Sequence, residues 1–170
     1  MLKKNIFITG FMGTGKSTVA KHLASQLNYS FVDMDQLIEQ QRGESVIDIF
    51  QQHGEHYFRK LEKALLKNII RKDSQVVATG GGALMDDSNY ELCQRNGMVI
   101  LLQAHPKVIY ERLKTDQGRP LLSGEDKLAD INRLLQQRNK KYGRIYYQID
   151  TSYLRIQEVV TRIMALLFEY

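Results

Sequence analysis

The densest chemistry in the chain sits near its amino end, in Gly10-Phe11-Met12-Gly13-Thr14-Gly15-Lys16-Ser17-Thr18. A glycine, four residues, then Gly-Lys-Ser is the spacing of a loop that wraps phosphate groups. Gly10, Gly13 and Gly15 let the main chain curl so that successive N–H groups point inward and form a nest for anionic oxygens. A helix starting near Ser17 adds the positive end of its dipole. Lys16 can then reach β- and γ-phosphates, and the Ser17 hydroxyl can ligate Mg²⁺. The pattern points to a nucleoside triphosphate and leaves open what is done with it.

Two common uses lack their residues. A guanine-reading Asn-Lys-x-Asp is absent, because Asn139-Lys140 is followed by Tyr142 where the aspartate belongs. A motor ATPase places a magnesium-binding carboxylate at the end of a core strand, yet Val76-Val77-Ala78-Thr79 runs into Gly80-Gly81-Gly82.

A second group of charged residues suggests an acceptor. Asp33 and Asp35 flank Met34 at the end of an apolar run. On a strand, alternate residues share a face, so both carboxylates would look into one site beside the loop. One would then serve the metal and the other a substrate hydroxyl; the competing reading is a helix N-cap. Arg59 has Glu55 four residues before it and Glu62 three after. Helical spacing makes this either a solvated ion-pair ladder or an arginine aimed by carboxylates at an acidic ligand. Arg138 continues the inward stripe Leu128, Ile131, Leu135. A charge on an apolar stripe is costly unless it meets an anion, so a buried anion contact is expected there. The polar segment 115–124, glycine-flanked and holding Arg119, reads as a connector or as a lid carrying that arginine to a transferring phosphate.

The elements that must position these groups follow from hydrophobic periodicity. Strands are expected at 6–8, 31–33, 76–78, 98–102 and near 146–149. Helices are expected at 17–27, 35–42, 45–71, 106–114, 125–141 and 155–168. Alternating strands and helices, with strands too apolar for a wet face, imply a parallel sheet covered on both sides. Ligands in such sheets bind at the carboxyl ends of the strands, where the first two glycine clusters fall.

Composition fits one domain over residues 1–170: 43% hydrophobic and 25% charged residues make an ordinary globular chain. Cys93 is the sole cysteine, so no intrachain disulfide forms, and a reducing cytoplasm is the expected setting. The apolar run after Lys3-Lys4 ends at Gly10 with no small-residue cleavage site, and reads as a strand rather than a leader. No stretch approaches the roughly 18 apolar residues of a membrane span. The net charge of +5 favours anionic partners, but the basic residues form no tail or stripe, so nucleic acid is not expected. With no heptad or long apolar patch in view, a monomer is expected.

Taken in order, these residues resemble the shikimate kinases, within the nucleoside-monophosphate-kinase-like group of P-loop folds. The marks are the loop 10–18, Asp33-x-Asp35, the stretch Phe50…Gly54-Glu55…Phe58-Arg59…Glu62, Gly80-Gly81-Gly82, Arg119-Pro120-Leu121, and Arg138 with Tyr142. The likeness spans nearly the whole chain. It implies a three-layer α/β/α fold with a five-stranded parallel sheet ordered 2-3-1-4-5 and a mobile lid at about 115–124. It implies transfer of the ATP γ-phosphate to the 3-hydroxyl of shikimate, on the route to chorismate. By that likeness Gly13, Thr14, Gly15, Lys16, Ser17 and Thr18 would bind ATP, and Arg112 would pack on adenine. Ser17 would ligate Mg²⁺ and Asp33 would act on it through water. Asp35 would bind the ring hydroxyls, and Arg59 and Arg138 would clamp the carboxylate, with Glu62 holding the arginines. Gly81 would contact the substrate through its backbone, and Phe50 and Phe58 would wall the pocket. Lys16, Asp35 and Arg119 would carry catalysis. The adenine-contacting segment is expected around 151–156, without a named residue. A gluconate kinase would share the cradle, and a nucleotide-binding regulatory module would need none of Asp35, Arg59, Arg119 and Arg138.

Overall fold

Five short apolar runs build the sheet of the computed structural model, which describes residues 4–115, 121–122 and 125–168. The strands are β1 (Asn5–Gly10), β2 (Ser30–Asp33), β3 (Gln75–Ala78), β4 (Gly97–Gln103) and β5 (Tyr147–Asp150). All pair in parallel in the order β2-β3-β1-β4-β5. Ile6 pairs with Val76 on one side and Met98 on the other.

Because side chains alternate along a strand, each strand feeds two cores. Ile6, Ile8, Val76, Ala78, Ile100 and Leu102 face one way, against α1 (Lys16–Leu27) and α7 (Ile156–Phe168). Phe7, Val77, Val99 and Leu101 face the other way. They meet α2 (Met34–Arg42), α3 (Val46–Ile69), α4 (Asp87–Asn96), α5 (Pro106–Leu113) and α6 (Lys127–Tyr142). The expected three-layer architecture and strand order are both present. Among the described residues, no helix is long and apolar enough to cross a membrane.

Three features depart from readings of the sequence: the shared strand face of the two aspartates, the number of helices and the continuity of α3. First, α2 begins at Met34, so Asp33 ends its strand while Asp35 lies in the first helical turn. The two aspartates are therefore not neighbours on one strand face. Asp33 accepts from the Gln36 N–H and caps the helix, which stops the strand. Second, α4 was not expected; Asp86 caps it by accepting from the N–H groups of Ser88 and Asn89. Third, α3 is broken at Gly54, where φ is 79° and ψ 170°. Glycine occupies this left-handed region at no steric cost, and the helix kinks there. Both halves of α3 then contribute to one cavity: Val46 and Phe50 from the first, Phe58, Arg59 and Glu62 from the second.

Candidate active site

The phosphate loop joins β1 to α1 at the carboxyl edge of the sheet. Gly10 has φ 147°, and a β-carbon on it would run into the carbonyl of Leu102 on β4. Gly15, in the left-handed region with φ 91°, precedes the first turn of α1. Inside the loop, the Thr14 hydroxyl donates to the Phe11 carbonyl at 2.7 Å and is buried. The Lys16 ammonium donates to the same carbonyl at 3.0 Å. Ser17 and Thr18 open α1. Arg112, from α5, donates to the carbonyls of Gly13 and Thr151, each at 2.9 Å. The Thr151 hydroxyl lies 3.2 Å from the Thr14 carbonyl. One cation thus ties the loop to the segment that follows β5, beside which Ile156 approaches Gly15.

The donor set suits a hard divalent cation. The Ser17 hydroxyl donates to Asp33 Oδ2 at 2.5 Å, joining the start of α1 to the end of β2. Among the described residues no cluster of three or more carboxylate, histidine or cysteine ligands forms. A hydroxyl and one carboxylate fit Mg²⁺, which keeps waters and takes substrate phosphates as its remaining ligands. Asp33 thereby serves as both cap and candidate metal partner, two roles that the residue types alone set in competition.

A cavity adjoins the loop, lined by Lys16, Asp35, Arg59, Glu62, Gly81 and Arg138, with Phe50, Phe58 and Leu121. Arg59 sits between its two carboxylates: Nη1 donates to Glu62 Oε2 at 2.6 Å, and Nη2 donates to Glu55 Oε1 at 2.9 Å. Glu62 has no exposed surface, and its Oε1 has no hydrogen-bond partner among the described residues. Burial pushes its carboxyl up to about 7, against the pull of Arg59. Burial works to lower the Arg59 guanidinium, but Glu62 and Glu55 outweigh it and hold Arg59 above its ordinary value. The pair is unequal because Arg59 keeps some solvent and two partners, whereas Glu62 keeps no solvent and, among the described residues, hydrogen-bonds to Arg59 alone.

Arg138 is 7% exposed, lies 5.4 Å from the Phe11 ring centroid and donates to the Gly81 carbonyl at 3.0 Å. The charge that continues the apolar stripe of α6 therefore ends at a polar cavity, as its cost in a core would demand. The triple glycine now has a spatial reason. A β-carbon on Gly80 would strike Glu62 Oε1 and crowd Asp35, and one on Gly82 would strike the Arg59 guanidinium. A β-carbon on Gly81, by contrast, would meet Gly10, Met12 and Arg138 only at ordinary contact distance. The turn after β3 is thin so that charged groups from α2 and α3 can lie against its backbone.

Lys16, Asp35, Arg59, Gly81 and Arg138 thus share one cavity, whereas Ser17, Asp33, Arg112 and Thr18 lie along the adjoining loop and its flanks. Arg119 and most of the segment 115–124 lie outside the described residues. Sequence reasoning named Tyr142 without a role; its hydroxyl donates to the Gly81 carbonyl at 3.2 Å. The signal for it was present, because a spacing of four puts it on the Arg138 face of α6.

Comparison with known proteins adds a consistent set. A family model described as shikimate kinase matches residues 12–168. A shikimate kinase from Caldanaerobacter subterraneus subsp. tengcongensis is 45% identical, over 95% of this chain and 94% of its own. One from Thermodesulfovibrio yellowstonii is 42% identical, over 95% and 93% respectively. Among solved structures, a shikimate kinase from Acinetobacter baumannii in complex with shikimate superimposes with a TM-score of 0.94. That protein is 33% identical, and the match covers 98% of this chain and 94% of that one.

Proposed function

The chain belongs to the shikimate kinase family, and on that premise we propose how its own residues carry the reaction. The substrates are ATP and shikimate, and the γ-phosphate passes to the 3-hydroxyl, giving shikimate 3-phosphate and ADP on the route to chorismate. The observation that carries this reading is a single cavity in which Lys16 of the phosphate loop, Asp35, Arg59 and Arg138 are all lining residues.

The main-chain amides of Gly13, Thr14, Gly15, Lys16, Ser17 and Thr18 hold the phosphate tail, and Lys16 neutralises charge between the β- and γ-phosphates. Ser17 and Asp33 would hold Mg²⁺, Asp33 through water, and that ion would supply positive charge to the phosphate oxygens. Arg59 and Arg138 grip the shikimate carboxylate, each guanidinium presenting paired donors that match a carboxylate. Glu62 and Glu55 fix the Arg59 fork from behind, and Gly81 meets the substrate through its backbone. The phenyl rings of Phe50 and Phe58, 4.9 Å apart between centroids, wall the ring face.

With the acid so held, Asp35 lies beside the acceptor. It orients the hydroxyl and takes its proton as the new oxygen–phosphorus bond forms and the bond to the β-phosphate oxygen breaks. Proximity does much of the work, since a loose transition state asks little of a base early. Arg112, anchored by its edge to Gly13 and Thr151, offers its face to adenine, with the segment around 151–156 on the same side. Arg119, which lies outside the described residues, would bring positive charge to the transferring phosphate. We take the chain to act as one domain and as a monomer, in the reducing cytoplasm that its single cysteine suits.

An assay coupling ADP release to a spectroscopic signal, run with shikimate and with gluconate, tests the reading. Turnover with shikimate and none with gluconate is expected. No turnover of shikimate would end the assignment.

A further inference from the structure

The Gly81 carbonyl receives two donors from one helix face. Arg138 Nη1 lies 3.0 Å from it and the Tyr142 hydroxyl 3.2 Å. A carbonyl oxygen has two lone pairs, so both are engaged. Such double occupation is more than a half-buried carbonyl needs, and the two donors are not equivalent. Arg138 lines the cavity, whereas Tyr142 does not. Tyr142 is 3% exposed and closes α6.

Resting on the kinase reading above, we propose that Tyr142 is a positioning residue for the acid subsite. Its hydroxyl keeps the Gly81 carbonyl satisfied so that Arg138 can turn its guanidinium onto the substrate carboxylate. Without that second donor, an arginine turning to the ligand would leave this half-buried carbonyl of the cavity wall without a donor just as the bound acid displaces water from it, and binding would weaken by that penalty. The phenol is suited to the task. Burial pushes its acidity away from the neutral range, with Arg138 opposing only in part, so the hydroxyl remains a donor.

The neighbouring contacts keep the two partners in register. Arg144, just beyond α6, donates to the Leu84 carbonyl at 2.8 Å and pairs with Asp87, which also takes Lys141. The end of α6 is therefore fastened to the turn that carries Gly81, and the Tyr142 hydroxyl needs no rearrangement to reach its acceptor. The planar trans peptide also fixes the Gly82 N–H on the side opposite that carbonyl, so holding one orients the other.

The test is Tyr142→Phe, which removes the hydroxyl and keeps the ring in its core. One hydrogen bond is at stake, so the shikimate Kd by calorimetry and its KM should both rise about fivefold. The ATP KM and kcat should stay within about twofold of the unaltered chain. In an Arg138→Ala background the same change should add little, because the tyrosine acts through that arginine. An unchanged shikimate Kd, equal losses for both substrates, or full additivity with Arg138→Ala would each overturn the proposal. If the unaltered chain turns over no shikimate, the kinase reading falls and this role with it. If it does and Tyr142→Phe behaves like it, only the tyrosine's role is lost.

Discussion

Replacing Glu62 by glutamine should make the protein's stability less dependent on pH, by an amount set by burial. The carboxyl has no exposed surface and is pushed from 4.5 up to about 7. That displacement corresponds to about 3 kcal/mol. The sign follows from which state holds the proton more tightly. Between pH 4.5 and about 7 the native state binds it and the unfolded state does not. The contribution is therefore whole below pH 4.5 and is lost as pH rises through about 7. Urea unfolding of the ligand-free protein and of Glu62→Gln at a series of pH values isolates it, because other titrating groups cancel in the difference. Relative to its parent, the variant should gain about 3 kcal/mol between pH 4.5 and pH 8. Any constant offset from the altered bond to Arg59 drops out of that comparison. A flat difference would refute the reasoning, and a slope of opposite sign would show that Arg59 outweighs burial. The same group links to function. A substrate carboxylate drawn to Arg59 competes for that charge, so shikimate binding near pH 7 should take up protons, and in Glu62→Gln it should not.

Asp35→Asn should leave ATP affinity close to that of the unaltered chain while slowing transfer by about a hundredfold or more, read by calorimetry beside a rate assay. Arg138→Ala should raise the shikimate KM by about tenfold or more, since a charge-assisted contact is lost, with the ATP KM little changed. Cys93 is buried and its thiol is pushed up to about 12 by that burial. It should resist alkylation in the native protein and react once denaturant unfolds the chain; rapid labelling in buffer would contradict its placement.

Much of this was legible from residue order because the information is local. The phosphate loop is a contiguous motif, and Glu55, Arg59 and Glu62 meet because helical spacing brings residues three and four apart together. Arg138 betrayed itself as a charge on an apolar stripe. The rest depends on partners distant along the chain. Nothing near Gly80 or Gly82 says that a carboxylate and a guanidinium from α3 will lie against them. The spacing Asp33-x-Asp35 fits both strand alternation and a helix N-cap, so residue order alone leaves the two readings open. The capping bond to Gln36, which settles the matter, is a three-dimensional event. The helix at 87–96 went unread because its buried residues, Asn89, Tyr90 and Cys93, make too short and mixed a stripe for periodicity to register.

The break at Gly54 has a consequence for how this cavity can change. Among the described residues, a β-carbon there would meet nothing within 4 Å, so the backbone torsion is what restrains the position. Residue 54 therefore behaves as a dial. Altering the bend angle would move the wall that Phe50 and Phe58 form while every side chain that touches the acid stays the same, a route by which substrate preference could drift without any change to the groups that bind.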